Sequence, residues 1–339
     1  MKKLLITLIA FALAVLPLSG CRQASSQQSA SAASAEAKTP KKIRVVTTIF
    51  PQYDFTRNIA GDKADVTLLL PPGAESHTYE PTPQDMITIQ NCDLFIYVGG
   101  ESDVWIDTIV KSMGDKAPRT LALMDCVEAV TEEIVEGMQV DHDHDDDADH
   151  GHDEDADHHL DEEIVYDEHV WTSPKNAVRI VRGISNALGT IDGDNADTYT
   201  RNAEVYIQKL NALDSALSVV CTTAARKTLI MGDRFPFRYL ADAYGLRYYA
   251  AFPGCSGETE ASAATVAFLI DKIKAEQIPV ICHIEFSNRR VANAIAEATG
   301  AEPMLLHSVH NLSKQEIASG ASYLSIMQQN IETLRKALN

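Results

Sequence analysis

The chain has 339 residues, 45% of them hydrophobic, with 48 Asp and Glu against 29 Lys and Arg. That length accommodates about two domains with sizeable cores, and the composition excludes collagen-like, wholly disordered and disulfide-miniprotein classes. A formal charge of −19 argues against a nucleic-acid backbone as partner, because phosphate binding rests on Lys and Arg. The charge is also local: residues 141–168 carry fifteen Asp and Glu and no Lys or Arg, which leaves −4 for everything else.

Lys2 and Lys3 precede an apolar run from Leu4 to Leu18. As a helix it would span about 22 Å, short of the ~30 Å hydrocarbon core. Residues 1–20 therefore read as a signal peptide and stand outside the fold. The run ends in Leu18-Ser19-Gly20-Cys21, which resembles the bacterial lipobox, whose Cys is lipidated and becomes the first mature residue. The alternative is an ordinary secretory signal with a chance Cys. Residues 21–42 are rich in Ser, Ala and Gln and read as a flexible tether on that Cys. No later apolar run approaches membrane length, so the chain is expected to be anchored to a membrane rather than to span it.

Apolar, β-branched runs follow at Ile43–Ile49, Val66–Leu70, Leu94–Val98 and Thr120–Leu123. A second series comprises Thr228–Met231, Arg247–Phe252, Val280–Ile284 and Met304–Leu306. Such runs, alternating with helical stretches, predict an α/β fold of two lobes, each a parallel sheet flanked by helices. Between them, Ala196, Tyr199, Ala203, Tyr206, Leu210, Leu213, Leu217 and Val220 make a helical stripe. A helix about 43 Å long results, with Asp192 and Asp194 as its cap and dipole partners. Its length favours a rigid strut joining lobes 43–192 and 223–339 through residues 193–222, with limited domain motion. The alternative is an ordinary helix within one lobe.

Five cysteines remain, at 92, 126, 221, 255 and 282, with no CxxC among them. This supports neither a zinc knuckle nor a thioredoxin motif. Cys92 and Cys282 lie beside apolar runs and read as buried small hydrophobes. Six of the eleven histidines, His142, His144, His150, His152, His158 and His159, lie in the acidic segment. With no apolar periodicity, residues 141–163 read as a disordered loop that captures zinc-like ions weakly. The bland reading is a solvated acidic loop.

The other histidines are His77, His169, His283, His307 and His310. His77 lies in PPGAESHTYEPTPQD, a Pro/Gly-rich turn past an apolar run, where α/β proteins place ligand loops. His169 lies in DEHVWTSPKNA, just before a helical pattern, and His307 follows the last strand run. His283 sits inside a strand run and reads as structural.

These two stretches resemble the two ligand loops of the zinc/manganese cluster of metal-binding solute-binding proteins of bacterial ABC importers, the ZnuA/TroA/PsaA-like receptors. The lipobox, the His-rich loop, the strut helix, Tyr323 and Met327-Gln328-Gln329-Asn330 are similar too, and the resemblance covers residues 43–339. It implies an extracytoplasmic, monomeric receptor, held at a membrane by lipidated Cys21. Such a receptor binds one metal between its lobes and hands it to an ABC permease and its ATPase. His77 and His169 map cleanly onto the N-lobe ligands. The third family ligand falls on Arg234, which cannot ligate a metal; Asp233 is the expected substitute. The fourth falls on His307, with His310 as the other choice, and Glu285 is expected to support a ligand rather than to bind the ion. Three imidazoles and one carboxylate favour Zn2+; an oxygen-richer set would favour Mn2+. An extracellular metal buffer or adhesin is compatible with the same site. A metallohydrolase lacks support, since no HExxH is present, and no enzymatic activity is expected.

Overall fold

A strand buried on both faces has no place for polar alternation, and the apolar runs form two parallel sheets whose central strands are buried in this way. The computed structural model describes residues 42–138, 165–256 and 260–339. In the first half, β1 (Ile43–Thr47), β2 (Ala64–Leu68), β3 (Leu94–Tyr97) and β4 (Arg119–Ala122) pair in parallel in the order β2-β1-β3-β4. In the second, β5 (Thr228–Arg234), β6 (Arg247–Phe252), β7 (Val280–His283) and β8 (Glu302–Leu305) repeat the pattern as β6-β5-β7-β8. All eight expected runs thus become strands, with ends shifted by a few residues.

Neighbouring residues on these strands face different layers. Val45 and Ile96 join a central core with Trp171, Tyr206 and Met231, whereas Val46 and Phe95 pack outward against Ile89 and Ile106. In the second sheet Met231 and Cys282 face the same central core, while Ile230 and Ile281 face Leu269 and Ile295. Burying each large aliphatic side chain contributes about 1.5–3 kcal/mol, so both faces of each sheet hold the fold. The central core is continuous through both halves, and Lys42–Asn339 forms one compact unit.

Helices α1 (Phe50–Ala60), α2 (Pro83–Gln90) and α3 (Val104–Met113) connect the first sheet. Then α4 (Pro174–Ile191) and α5 (Ala196–Thr223) lead to the second, which α6 (Arg238–Tyr244), α7 (Ala263–Glu276) and α8 (Arg290–Thr299) connect. Helices α9 (Lys314–Ala318) and α10 (Tyr323–Ala337) end the chain. The stripe of α5 is buried from Tyr199 to Val220. Its N-terminal part is tied to the first half by Asn202 Nδ2 donating to Ile59 O (2.9 Å) and Tyr206 OH donating to Asp54 Oδ2 (3.0 Å). Further along, Asp214 accepts from Tyr244 OH of α6 at 2.7 Å. The helix therefore contacts both halves. Its expected cap differs: Asn195 is the N-cap and makes no side-chain cap bond. Asp192 instead accepts from Tyr199 OH (2.6 Å) and Asn195 Nδ2 (2.8 Å), bracing the turn between α4 and α5.

Cys92, Cys126, Cys221, Cys255 and Cys282 are free thiols, and Cys92 and Cys282 are buried among apolar side chains. Among the described residues, no helix is long and apolar enough to cross a membrane. The signal peptide, Cys21, the tether up to residue 41 and the six histidines of the acidic loop lie outside the described residues.

Candidate metal centre

The loop after β2 is built from its own sequence. Thr82 caps α2 by accepting from Asp85 N (3.2 Å), while Asp85 Oδ2 accepts from Thr82 N (2.8 Å) and from Tyr79 OH (2.9 Å). Such a reciprocal cap, with Pro83 in the first turn, fixes where the loop must end. His77 therefore projects into the space between the halves, with Ser102 Oγ 3.1 Å from its Nδ1. Ser102 is itself placed by its N–H donating to Glu168 Oε1 at 2.8 Å. That carboxylate packs so closely on Gly100 that an added Cβ would lie 2.6 Å from Oε1. The two His-bearing stretches are thus joined through Glu168 and Ser102.

His169 is fully buried. Asp167 Oδ1 accepts from both its backbone N–H (2.8 Å) and its ring Nδ1 (3.0 Å). A carboxylate only accepts, so Nδ1 carries the proton and Nε2 keeps its lone pair. Tyr239 OH, from α6, donates to Asp167 O at 2.8 Å and anchors this stretch to the second half.

His310 comes from the segment after β8, which docks on the first half. Its carbonyl accepts from Phe50 N (3.0 Å), Asn311 Nδ2 donates to Pro71 O (2.6 Å), and Trp171 Nε1 donates to Ser308 O (2.8 Å). Its Nδ1 lies 2.8 Å from Ser308 Oγ, which in turn donates to Glu285 Oε1 at 2.5 Å. One hydroxyl has one proton, so His310 Nδ1 donates to Ser308 and its Nε2 carries the lone pair. Glu285 thus supports His310 through Ser308.

His77, His169 and His310 converge, with one nitrogen of each within 4.8 Å of the others. Their ring centroids lie 5.4, 5.2 and 4.8 Å apart. Nε2 of His77 and of His169 is buried and has no hydrogen-bond partner among the described residues. Unpaired buried nitrogens cost about 1–3 kcal/mol each, and a metal ion would satisfy them. Burial, then His169 and Arg234, hold the pKa of His77 well below the usual imidazole value. Burial, then His169, His77, Arg234 and His307, do the same for His310. Neutral rings are the form that binds metal, and these donors fit a borderline divalent ion such as zinc.

The structure does not bring His307 or Asp233 to this group. His307 is held by Asn330, which binds its backbone N–H (2.9 Å) and carbonyl (2.8 Å), and its Nδ1 accepts from Val309 N at 2.9 Å. Val309, at φ 66°, turns the chain so that His310 rather than His307 meets the first-half histidines. Asp233 is diverted by a register irregularity in β5 between Met231 and Arg234, and lines a separate cavity. Arg234 instead spans the halves, donating to Glu75 Oε2 at 2.7 Å. His283 is buried, with its Nδ1 3.0 Å from Ile284 O. Sequence reasoning missed Ser102 and Ser308; both stand just past the carboxyl ends of strands, where α/β folds place binding residues.

A family model described as ZnuA, zinc-uptake complex component A, periplasmic, matches residues 45–337. The chain belongs to this family. Among ZnuA-family relatives, the high-affinity zinc uptake system protein ZnuA of Bacillus subtilis (strain 168) is 36% identical over 297 residues, 88% of each chain. The zinc-binding lipoprotein AdcA of Streptococcus pneumoniae serotype 4 is 31% identical over 296 residues, 87% of this chain and 56% of AdcA. The chain thus spans about half the length of the AdcA relatives it matches. Two solved structures share the architecture. The Zn(II)-bound ZnuA-like domain of S. pneumoniae AdcA has a TM-score of 0.70 at 28% identity, covering 88% of this chain and 99% of that one. The metal-dependent lipoprotein YcdH of B. subtilis has a TM-score of 0.71 at 32% identity, with the same coverage. Two parallel sheets joined through one long helix are therefore the ZnuA-family fold.

Proposed function

We propose that this chain is an extracytoplasmic receptor for zinc uptake. It binds one ion between its two halves through His77, His169 and His310 and delivers it to an ABC permease driven by an ATPase. The observation that carries this reading is the convergence of three imidazoles, two of which have buried Nε2 atoms with no partner among the described residues. Three nitrogen donors and no carboxylate in the group favour zinc over manganese. Family membership supports capture and release over catalysis. The receptor acts as a monomer, held at the membrane by lipidated Cys21, with lobes 43–192 and 223–339 on either side of the linking helix. The His-rich segment raises the local zinc concentration without forming the tight site.

The test is a competitive titration of zinc and manganese on metal-stripped protein lacking residues 141–163. One tightly bound zinc ion, with weaker manganese and no hydrolytic turnover, is expected. Tight manganese with weaker zinc would change the cargo, and no tight metal would reject the receptor reading.

A further inference from the structure

A second cavity, of about 330 Å³, lies at the carboxyl ends of β5 and β7, where the strand order of the second sheet reverses. Open α/β sheets bind ligands at such points, and the volume lies at the small end of small-molecule pockets. Its lining includes Glu75, Asp233, Arg234, Phe286, Ser287 and Asn288, and none of the three converging histidines.

The backbone around it is specialised. The irregularity in β5 between Met231 and Arg234 aims Asp233 and Arg234 at this space. Gly232 lets α8 sit directly on the strand, since an added Cβ would lie 2.5 Å from Ala292 Cα. Phe286 (φ 58°) and Arg289 (φ 60°) both occupy the left-handed region without being glycine. Such strain concentrates at binding sites.

The charges are incompletely matched. Asp233 Oδ1 accepts from Arg234 N at 3.0 Å, and the Ser287 side chain and Ile284 N–H lie close enough to favour its charged form, but its buried Oδ2 has no partner at hydrogen-bond geometry among the described residues. Arg234 uses one N–H on Glu75 and one on Ser256 O (3.1 Å). A guanidinium has five N–H donors, so among the described residues three are not used by these two bonds. A buried carboxylate oxygen seeking a donor, beside a cation seeking an acceptor, matches an ammonium and a carboxylate on adjacent atoms. Glu75, Asp233 and Arg234 together disfavour a simple anion. We infer that this cavity binds a free α-amino acid, with its ammonium on Asp233 and its carboxylate on Arg234. The site adjoins the three-histidine group through Arg234, whose charge acts on His77 and His310, but its lining includes none of those histidines and it does not require metal.

The test uses the full chain, stripped of metal by dialysis against a chelator. Each standard L-amino acid is added at millimolar concentration in a thermal-shift screen, followed by calorimetry of the strongest. At least one amino acid is expected to bind in a 1:1 ratio. N-acetylation of that amino acid, its methyl esterification and Asp233→Asn should each weaken binding at least about tenfold, the usual scale for a charged hydrogen bond. His310→Ala should leave it unchanged. The inference is overturned if no amino acid binds, or if binding survives any one of the three changes. The blocked ligands test wild-type protein, so misfolding of the variant cannot decide the result. Zinc titrated into the same preparation reads the metal site separately.

Discussion

In the first half, Asp167 orients the proposed ligand His169 from two residues away, and the Thr82–Asp85 cap ends the His77 loop, although the ring of His77 meets Ser102 from beyond β3. In the second half, Ser308 holds the ring of His310 from two residues away, but Ser308 is itself held by Glu285, and Pro71, Phe50 and Trp171, all distant in the chain, receive the segment. The first half supports His169 through local sequence. The second half brings in His310 by tertiary fit, and Arg234, where the family resemblance places a ligand, pairs with Glu75 instead.

Removing a first-half ligand should have the largest effect. His77→Ala and His169→Ala should each weaken zinc binding by at least about 100-fold, beyond the ~10–100-fold range of supporting residues. Deleting residues 141–163 should leave tight binding in place, and competition against a zinc chelator measures both. The supports come next. Asp167→Asn and Ser308→Ala should each cost about 10–100-fold in zinc affinity with the fold intact. If Ser308→Ala is silent while Asp167→Asn is not, the second-half support does not operate as the geometry implies.

The smallest effect is the response to pH. His77 and His310 are held below the usual imidazole pKa, so they stay neutral as pH falls through ~6.5. Zinc affinity should then fall by less than the roughly 170-fold expected between pH 6.5 and 5.5 for three ordinary imidazoles, each losing about 5.5-fold. The unfolded chain binds protons at these residues that the folded chain does not. The stability of the metal-free protein should therefore decline as pH drops below ~6.5, as read by denaturant unfolding. A metal-free stability that rises over that window would contradict the neutral rings.

The central strands were readable because they are buried on both faces, as in Val280–His283, whereas the edge strand Ala64–Leu68 alternates exposed and covered positions. The α5 stripe was readable because its buried face repeats at helical spacing. His77 and His169 stood out because each lies in a long contiguous motif, PPGAESHTYEPTPQD and DEHVWTSPKNA. The choice between His307 and His310 was not readable. It turns on the backbone of Val309 and on Asn330 reaching back from α10. The destination of Asp233 was hidden likewise, because a register irregularity inside a strand leaves no mark in apolar periodicity.

The central claim is that His310, and not His307, completes the three-histidine group. Zinc affinity of His310→Ala and His307→Ala, each lacking residues 141–163 and checked for folding by thermal unfolding, tests it most directly. The account predicts that His310→Ala loses at least about 100-fold, while His307→Ala stays within about tenfold of the parent, as expected of a residue that orders a neighbouring turn. Tight zinc binding in His310→Ala, lost in His307→Ala, would contradict it.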